Sequence, residues 1–218
     1  MVLFVLGDCT IMLVIVDYGV GNLGSILNML KKIGVKAAVS SRGAEIAAAD
    51  KLILPGVGAF DSGMAALDRS GLIPLLSKKV MQEKIPVLGI CLGMQLLTRR
   101  SAEGKLPGLG WIDGETVKFS FPNQRELKIP HMGWNGVSVR REDPLFCNMP
   151  DDPRFYFVHS YHVVCKDARD VAATTQYGYD FTSAVAKGNM YGVQFHPEKS
   201  HKFGMKLLEN FVTSESPC

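Results

Sequence analysis

The 218-residue chain carries 24 Lys and Arg against 21 Asp and Glu, with 47% hydrophobic and 21% charged residues. That length buries a full core without metal or disulfide staples, and charge this evenly spread leaves no basic stripe for nucleic acid. Five cysteines (Cys9, Cys91, Cys147, Cys165, Cys218) are far apart, odd in number and without a CxxC pair, which argues against a disulfide scaffold or zinc ribbon and for a reducing cytoplasm.

Met1 to Leu6 is apolar but lacks a basic flank and is too short for a signal or a membrane span. Met12 stands where a strand begins, so residues 1–11 read as an N-terminal extension or a mis-set start, and residues 12–218 as one domain. Leu13 to Asp17 is a buried strand closed by a Gly-rich loop. Asn22 caps a helix through Ile33, with Leu23, Ile26, Leu27 and Leu30 on one face and Gly34 as its stop. Strands follow near 35–39 and 52–54, helices over 61–69 and 72–83, a strand at 86–90 and a helix over 92–100. This alternation predicts a parallel sheet wrapped on both faces. After Gly104 the pattern turns to short strands, at 111–119, 127–131, 135–139, 154–159, 162–165, 171–176, 182–186 and 190–195, before a last helix over 202–212.

Three segments carry chemistry. Gly89-Ile90-Cys91-Leu92-Gly93 lies between a strand and a helix, the pattern of a nucleophile elbow with cysteine as the nucleophile. A tight turn lifts the thiol above the sheet, and the start of the following helix favours the thiolate. Alone, the motif is equally a small buried cysteine among packing glycines. His196-Pro197-Glu198 supplies what a thiol nucleophile needs: an imidazole to move its proton, and a carboxylate two residues on to fix the imidazole's tautomer. Pro55-Gly56-Val57-Gly58, again after an apolar strand, offers a backbone N–H at Val57 or Gly58 that, with the N–H of Leu92, would hold an oxyanion. By itself that segment is an ordinary Pro-Gly turn.

Together these segments resemble the triad (class I) glutamine amidotransferases, and Asp17-Tyr18-Gly19-Val20-Gly21-Asn22, Pro130-His131-Met132-Gly133-Trp134-Asn135 and Gly192 to Ser200 extend the likeness from about Met12 to Phe211. The resemblance implies a flavodoxin-like α/β domain: a mixed, mostly parallel central sheet flanked by helices, with antiparallel strands in the C-terminal half. It implies that Cys91 attacks the carboxamide of L-glutamine, that His196 moves the proton and that Glu198 orients His196. Gly58, Gln95, Ser160 and Tyr161 would hold the amino-acid end of the substrate, without cofactor or metal. The implied partner is a (β/α)8-barrel synthase subunit of the HisF kind, contacted through Asn22, Trp134 and Lys199. The heterodimer would make imidazole glycerol phosphate and aminoimidazole carboxamide ribotide for histidine biosynthesis. A related subunit feeding ammonia to a sugar-amidating enzyme of surface polysaccharides is the alternative. A thiol peptidase or chaperone-like protein, indifferent to Gln95, and an inert binder are rivals of other classes.

Some signals point elsewhere and are set aside. Gly19-Val20-Gly21-Asn22-Leu23-Gly24 has G-x-G-x-x-G form, but Ser40-Ser41-Arg42 ends the second strand where a dinucleotide site wants an acid. His196 to His201 has no HExxH spacing for a metal. Cys9, Cys147, Cys165 and Cys218 have no elbow around them, and His159 and His162 read as structural or substrate-adjacent.

Overall fold

The structure is a computed structural model that describes residues 11–122 and 126–214. Cys9, Cys218 and all but Ile11 of the expected N-terminal extension lie outside the described residues. The elements run β1 (Leu13–Val16), α1 (Leu23–Lys32), β2 (Ala37–Ser40), α2 (Gly43–Ala48), β3 (Lys51–Gly56), α3 (Phe60–Arg69) and α4 (Ile73–Ser77). They continue through β4 (Val87–Cys91), α5 (Leu92–Leu96), β5 (Gly114–Lys118), β6 (His131–Gly136), β7 (Ser138–Val139), β8 (Arg154–His159) and β9 (Tyr161–Cys165). The chain closes with β10 (Val171–Tyr177), β11 (Tyr179–Lys187), β12 (Met190–Val193) and α6 (His201–Thr213).

Strands β2, β1, β3, β4 and β12 lie side by side in that order and are all parallel. Beyond β12 the sheet turns antiparallel through β11, β10 and β7, with β9 and β5 branching from β11. β6 and β8 form a separate antiparallel pair. Alternation along β1 explains the layers: Leu13 and Ile15 enter a core with α1 and α6, while Val14 and Val16 enter a second core with α2, α3 and α5. In α3, Phe60, Gly63, Met64 and Leu67 are the buried residues, spaced to form one helical stripe. Lys51 on β3 is buried because its Nζ donates to the carbonyls of Phe211 (2.9 Å), Val212 (2.8 Å) and Ser214, the otherwise open C-terminal end of α6.

The sheet presses unusually closely on α5. A Cβ on Gly93 would lie 1.8 Å from the Leu54 carbonyl oxygen, and one on Gly89 2.8 Å from the Gly93 carbonyl. One on Gly56 would meet Leu92 Cβ at 2.9 Å, and one on Gly192 Met94 Cγ at 2.7 Å. Glycines on β3, β4, β12 and the helix itself are therefore the condition for this short helix to sit where it does.

The fold differs from the sequence reading in detail. The helix expected over 92–100 stops at Leu96, because Leu97 and Thr98 donate to Met94 and Gln95 in tight turns and Arg99 is then drawn to the carbonyl of Gly114. The strand expected at 127–131 is irregular as far as Pro130. Helix α2 was not foreseen; it is six residues long and opens on Arg42, without a side-chain cap. Asn22 occupies the N-cap position of α1 but makes no capping side-chain hydrogen bond. The stretch expected as one helix over 72–83 is α4 followed by a π-helical turn, Lys78–Gln82.

Two glycine substitutions should separate close packing from intrinsic helix propensity. Gly93→Ala should cost more than about 3 kcal/mol in urea unfolding, since its methyl meets backbone that cannot yield. Gly24→Ala, on the exposed side of α1 with nothing within 4 Å of the new methyl, should stabilise by about 0.5–1 kcal/mol. Equal effects of the two would contradict the packing argument.

Candidate active site

Cys91 is the last residue of β4 and the N-cap of α5, and its backbone turns there to φ 53°, ψ −109°. A left-handed φ at a non-glycine residue costs about 1–3 kcal/mol and persists only where its surroundings enforce it. The pairing of Cys91 with Gly56 on β3 and the close seat of α5 do so. The side chain is 7% exposed, at the floor of a cavity of about 460 Å³. With five residues, α5 has little macrodipole to offer the sulfur.

His196 enters from the loop after β12. Its N–H donates to the Tyr156 carbonyl at 2.9 Å, and its own carbonyl accepts from Ser200 Oγ at 2.6 Å. Nδ1 lies 2.8 Å from Glu198 Oε1, and both side chains are 2% exposed. Burial alone would lower the His196 pKa, but interactions with Cys91 and Glu198 outweigh it and raise the value from 6.5 to about 9. Nε2 is buried and bonds to no nitrogen or oxygen, so it can exchange a proton at the Cys91 side. The short turn Pro197–Lys199 folds Glu198 back behind the imidazole.

Val57, Gly58, Leu92, Gln95, Ser160, Tyr161 and Lys199 line the same cavity as Cys91 and His196. Tyr18 Oη donates to the Pro55 carbonyl at 2.6 Å, and its pKa is driven up by burial and by Cys91. The 55–58 segment is thus tied down at Pro55, whereas a Cβ at Gly58, which has φ +97°, would meet nothing within 4 Å. Gly21, in the loop set aside as a dinucleotide motif, has φ +125° and would bring a Cβ within 3.3 Å of Pro55, so that glycine serves close packing.

Two contributors were not foreseen. Glu103 lines the cavity and accepts from the Phe60 N–H at 2.8 Å, which ties it to the start of α3; nothing in its sequence surroundings marks it. Gln194 is fully buried and its Nε2 donates to Cys91 Sγ at 3.8 Å. It stands two residues before His196 in the same segment, and that proximity was the available signal. Gln95 spends its Nε2 on the Tyr161 carbonyl (3.1 Å) and Gln194 Oε1 (3.0 Å), which leaves its oxygen, an acceptor, for a ligand.

Of the residues expected at a partner surface, Asn22 is exposed, and Trp134 is 47% exposed and stacks on His201 at 5.4 Å. Lys199 Nζ lies over the Tyr156 ring at 5.6 Å. Trp134 pairs with Tyr156 across β6 and β8, and Tyr156 bridges to His196, so this surface adjoins the cavity mouth.

A cluster of buried histidines reaches the cavity wall, where His159 is a lining residue. His131 Nδ1 is 3.0 Å from His159 Nε2, His159 Nδ1 is 2.8 Å from the Tyr161 carbonyl, and His131 Nε2 is 3.2 Å from Asn135 Nδ2. The carbonyl and the amide fix the direction: each ring carries its hydrogen on Nδ1 and accepts on Nε2. Burial, the main cause, lowers His131 to about 4 and His159 to about 3. His162, also lowered chiefly by burial, bonds through Nε2 to Tyr179 Oη at 2.9 Å. Among the described residues, no group of three or more His, Cys, Asp or Glu is placed to hold a metal ion.

A thiol at a strand–helix elbow, faced by a histidine–carboxylate pair, is the apparatus of a cysteine-nucleophile acyl-transfer protein. Residues 14–214 match the family described as glutamine amidotransferase class-I, and the chain belongs to that family. Within it the likeness is to HisH. The chain is 59% identical over 201 residues to imidazole glycerol phosphate synthase subunit HisH 2 of Methanococcus maripaludis, covering 92% of this chain and 98% of the relative. It is 55% identical to subunit HisH 2 of Pseudomonas aeruginosa and 48% identical to subunit HisH of Bdellovibrio bacteriovorus, with the same coverage of both chains. Among solved structures, PurLQS from Thermotoga maritima shares the fold, with TM-score 0.69 and 19% identity, covering 94% of this chain and 98% of that one. A glutamine amidotransferase from the same organism does so with TM-score 0.62 and 17% identity, covering 94% of this chain and 84% of that one.

The histidine cluster sets an acid limit on stability. His131 and His159 are neutral when folded, at about 4 and about 3, whereas an unfolded histidine takes up a proton near 6.5. Their contribution is whole above 6.5 and is lost as pH falls toward those folded values. The thermal midpoint should therefore drop as pH falls from 6.5 to about 5, above the range where most carboxylates titrate, while NMR shows both rings still neutral. A midpoint that is flat there would contradict the assignment.

Proposed function

We propose that the chain is the glutaminase subunit of an imidazole glycerol phosphate synthase, hydrolysing L-glutamine to glutamate and ammonia for use in histidine biosynthesis. The observation that carries this reading is the meeting of Cys91 and His196 on one small cavity, with Glu198 bonded to the imidazole, in a chain so similar to HisH subunits.

The chemistry follows from the geometry. His196 Nε2 takes the Cys91 proton while Glu198 holds the proton on Nδ1. The sulfur adds to the carboxamide carbon, and the resulting oxyanion is met by the Leu92 N–H and by that of Val57 or Gly58. Such donors typically contribute about 3–4 kcal/mol each to the transition state. The imidazolium then protonates the nitrogen, the C–N bond breaks and ammonia leaves. Water, giving a proton to His196, attacks the thioester; the C–S bond breaks and glutamate departs. The oxygen of Gln95 and the carboxylate of Glu103 both accept hydrogen bonds, which suits the α-ammonium of glutamine. Ser160, Tyr161 and Gly58 surround the rest of the amino-acid end.

The partner we propose is a (β/α)8-barrel synthase subunit of the HisF kind, in a cytoplasmic heterodimer. Ammonia released into water is protonated and lost, so transfer across a joint is favoured. Asn22, Trp134 and Lys199 are the proposed contacts, Trp134 being the half-exposed aromatic that commonly anchors an interface. Because the 55–58 segment is clamped at Pro55 and has open space at Gly58, we also propose that partner binding sets which amide faces the oxyanion. On this basis the isolated chain is nearly inactive.

Cys91→Ala should abolish glutamine hydrolysis in every mixture with partner while leaving heterodimer formation intact. Trp134→Ala should weaken partner binding by about tenfold or more without altering Cys91 alkylation in the isolated chain. Expression in a strain lacking its own glutaminase subunit should relieve histidine auxotrophy. Failure there, alongside turnover with a sugar-amidating partner, would favour the polysaccharide alternative. Isolated chain as fast as the complex would rule out gating.

A further inference from the structure

Gln194 lies beneath the cavity rather than in its lining, wholly inaccessible to solvent, with its amide nitrogen on the reacting sulfur. The direction of that contact is imposed by the main chain. The Tyr161 carbonyl can only accept, so the Gln95 amide must turn its NH2 toward it at 3.1 Å. The second hydrogen of the same nitrogen points to Gln194 Oε1 at 3.0 Å, so the oxygen of Gln194 faces Gln95 and its NH2 faces Cys91 Sγ. His159 Nδ1–H meets the same Tyr161 carbonyl at 2.8 Å and helps fix its direction. Two amides thus carry the polarity of one backbone oxygen to the nucleophile.

We infer that Gln194 is a further catalytic residue: its NH2 holds Cys91 Sγ by donating to the charged sulfur, and Gln95 positions that amide. This deepens, and rests on, the reading of Cys91 as the nucleophile. A neutral amide donor suits a sulfur that is charged twice in each cycle, before it attacks and again as the thioester C–S bond breaks. It stabilises the anion without taking the proton, which remains the task of His196. The ionisable groups acting on the sulfur are His196, backed by Glu198, and the Tyr18 phenol, which is held on the Pro55 carbonyl. None of these can substitute for the amide, because each has its own proton to place.

The test is the pH dependence of Cys91 alkylation by iodoacetamide in the full-length chain, followed by mass spectrometry, with glutamine turnover in the complex measured beside it. Gln194→Met keeps nearly the same volume and removes the donor. The alkylation midpoint should rise by about one pH unit, and the rate at neutral pH should fall about tenfold, the usual worth of a hydrogen bond to a charged group. Gln194→Glu, which sets carboxylate oxygen against sulfur, should raise the midpoint further. A folded Gln194→Met variant with an unchanged midpoint overturns the inference. Should the variants not fold, the native chain still decides it: the Gln194 side-chain amide proton resonance must move with the alkylation midpoint, and a stationary resonance overturns the inference. The two readings fail separately. A shifted midpoint with no glutamine turnover by native complex sinks the function and keeps the amide contact, whereas turnover with no shift does the reverse.

Discussion

The left-handed backbone at Cys91 is the constraint on which the site depends. A cysteine does not adopt φ 53° unprompted, and the energy that holds it there comes from β3, β4, β12 and α5 fitting together around it. That fit is possible only because Gly56, Gly89, Gly93 and Gly192 remove the side chains that would keep helix and sheet apart. Cys91, the proposed nucleophile, is therefore positioned by the close packing of the domain, and the hydrophobic cores on the two faces of the sheet serve that one junction. The proposed proton partner comes from the adjacent strand: β12 pairs with β4 and delivers His196 a few residues beyond the sheet.

A second ordering principle is the satisfaction of buried polar groups. Asn135, His131 and His159, buried or half-buried around the site, pass hydrogen bonds in one sense to the Tyr161 carbonyl; Gln95 donates to the same carbonyl and with its other hydrogen to Gln194, which donates on to Cys91. Such networks are costly when incomplete and rigid when complete. This one is kept neutral by burial on the histidine side, while His196, with Glu198 and Cys91 beside it, is shifted the opposite way. The same protein interior thus produces one histidine that avoids a proton and another that retains it. What separates them is the presence of a carboxylate and a thiol.

Much of this was legible in the sequence, for reasons that can be named. The parallel half of the sheet announces itself because buried strands such as Leu13–Val16 and Val87–Cys91 are apolar runs bounded by glycine, and helix α3 repeats at helical spacing. The elbow was readable because its glycines are demanded by sterics, and the His-Pro-Glu segment because its chemistry needs both groups. The end of α5 was not, since it is set by longer-range hydrogen bonds, from the Arg99 N–H to the Gly114 carbonyl and from the Ile112 N–H to the Leu97 carbonyl, rather than by any local stop signal. Nor was α2, too short to show a period. Glu103 and Gln194 were missed because what makes them matter is a contact with a residue far along the chain: Phe60 in one case and Cys91 in the other.

In the proposed reaction Cys91, out of five cysteines, is the group that attacks a glutamine side chain. A diazoketone analogue of glutamine, added to the complex of this chain with its synthase partner, reports on that claim through peptide mapping of the labelled protein. One adduct per chain is predicted, on the peptide containing Cys91, prevented by excess glutamine. Label on Cys147 or Cys165 instead, or no glutamine-protected label at all, would contradict it.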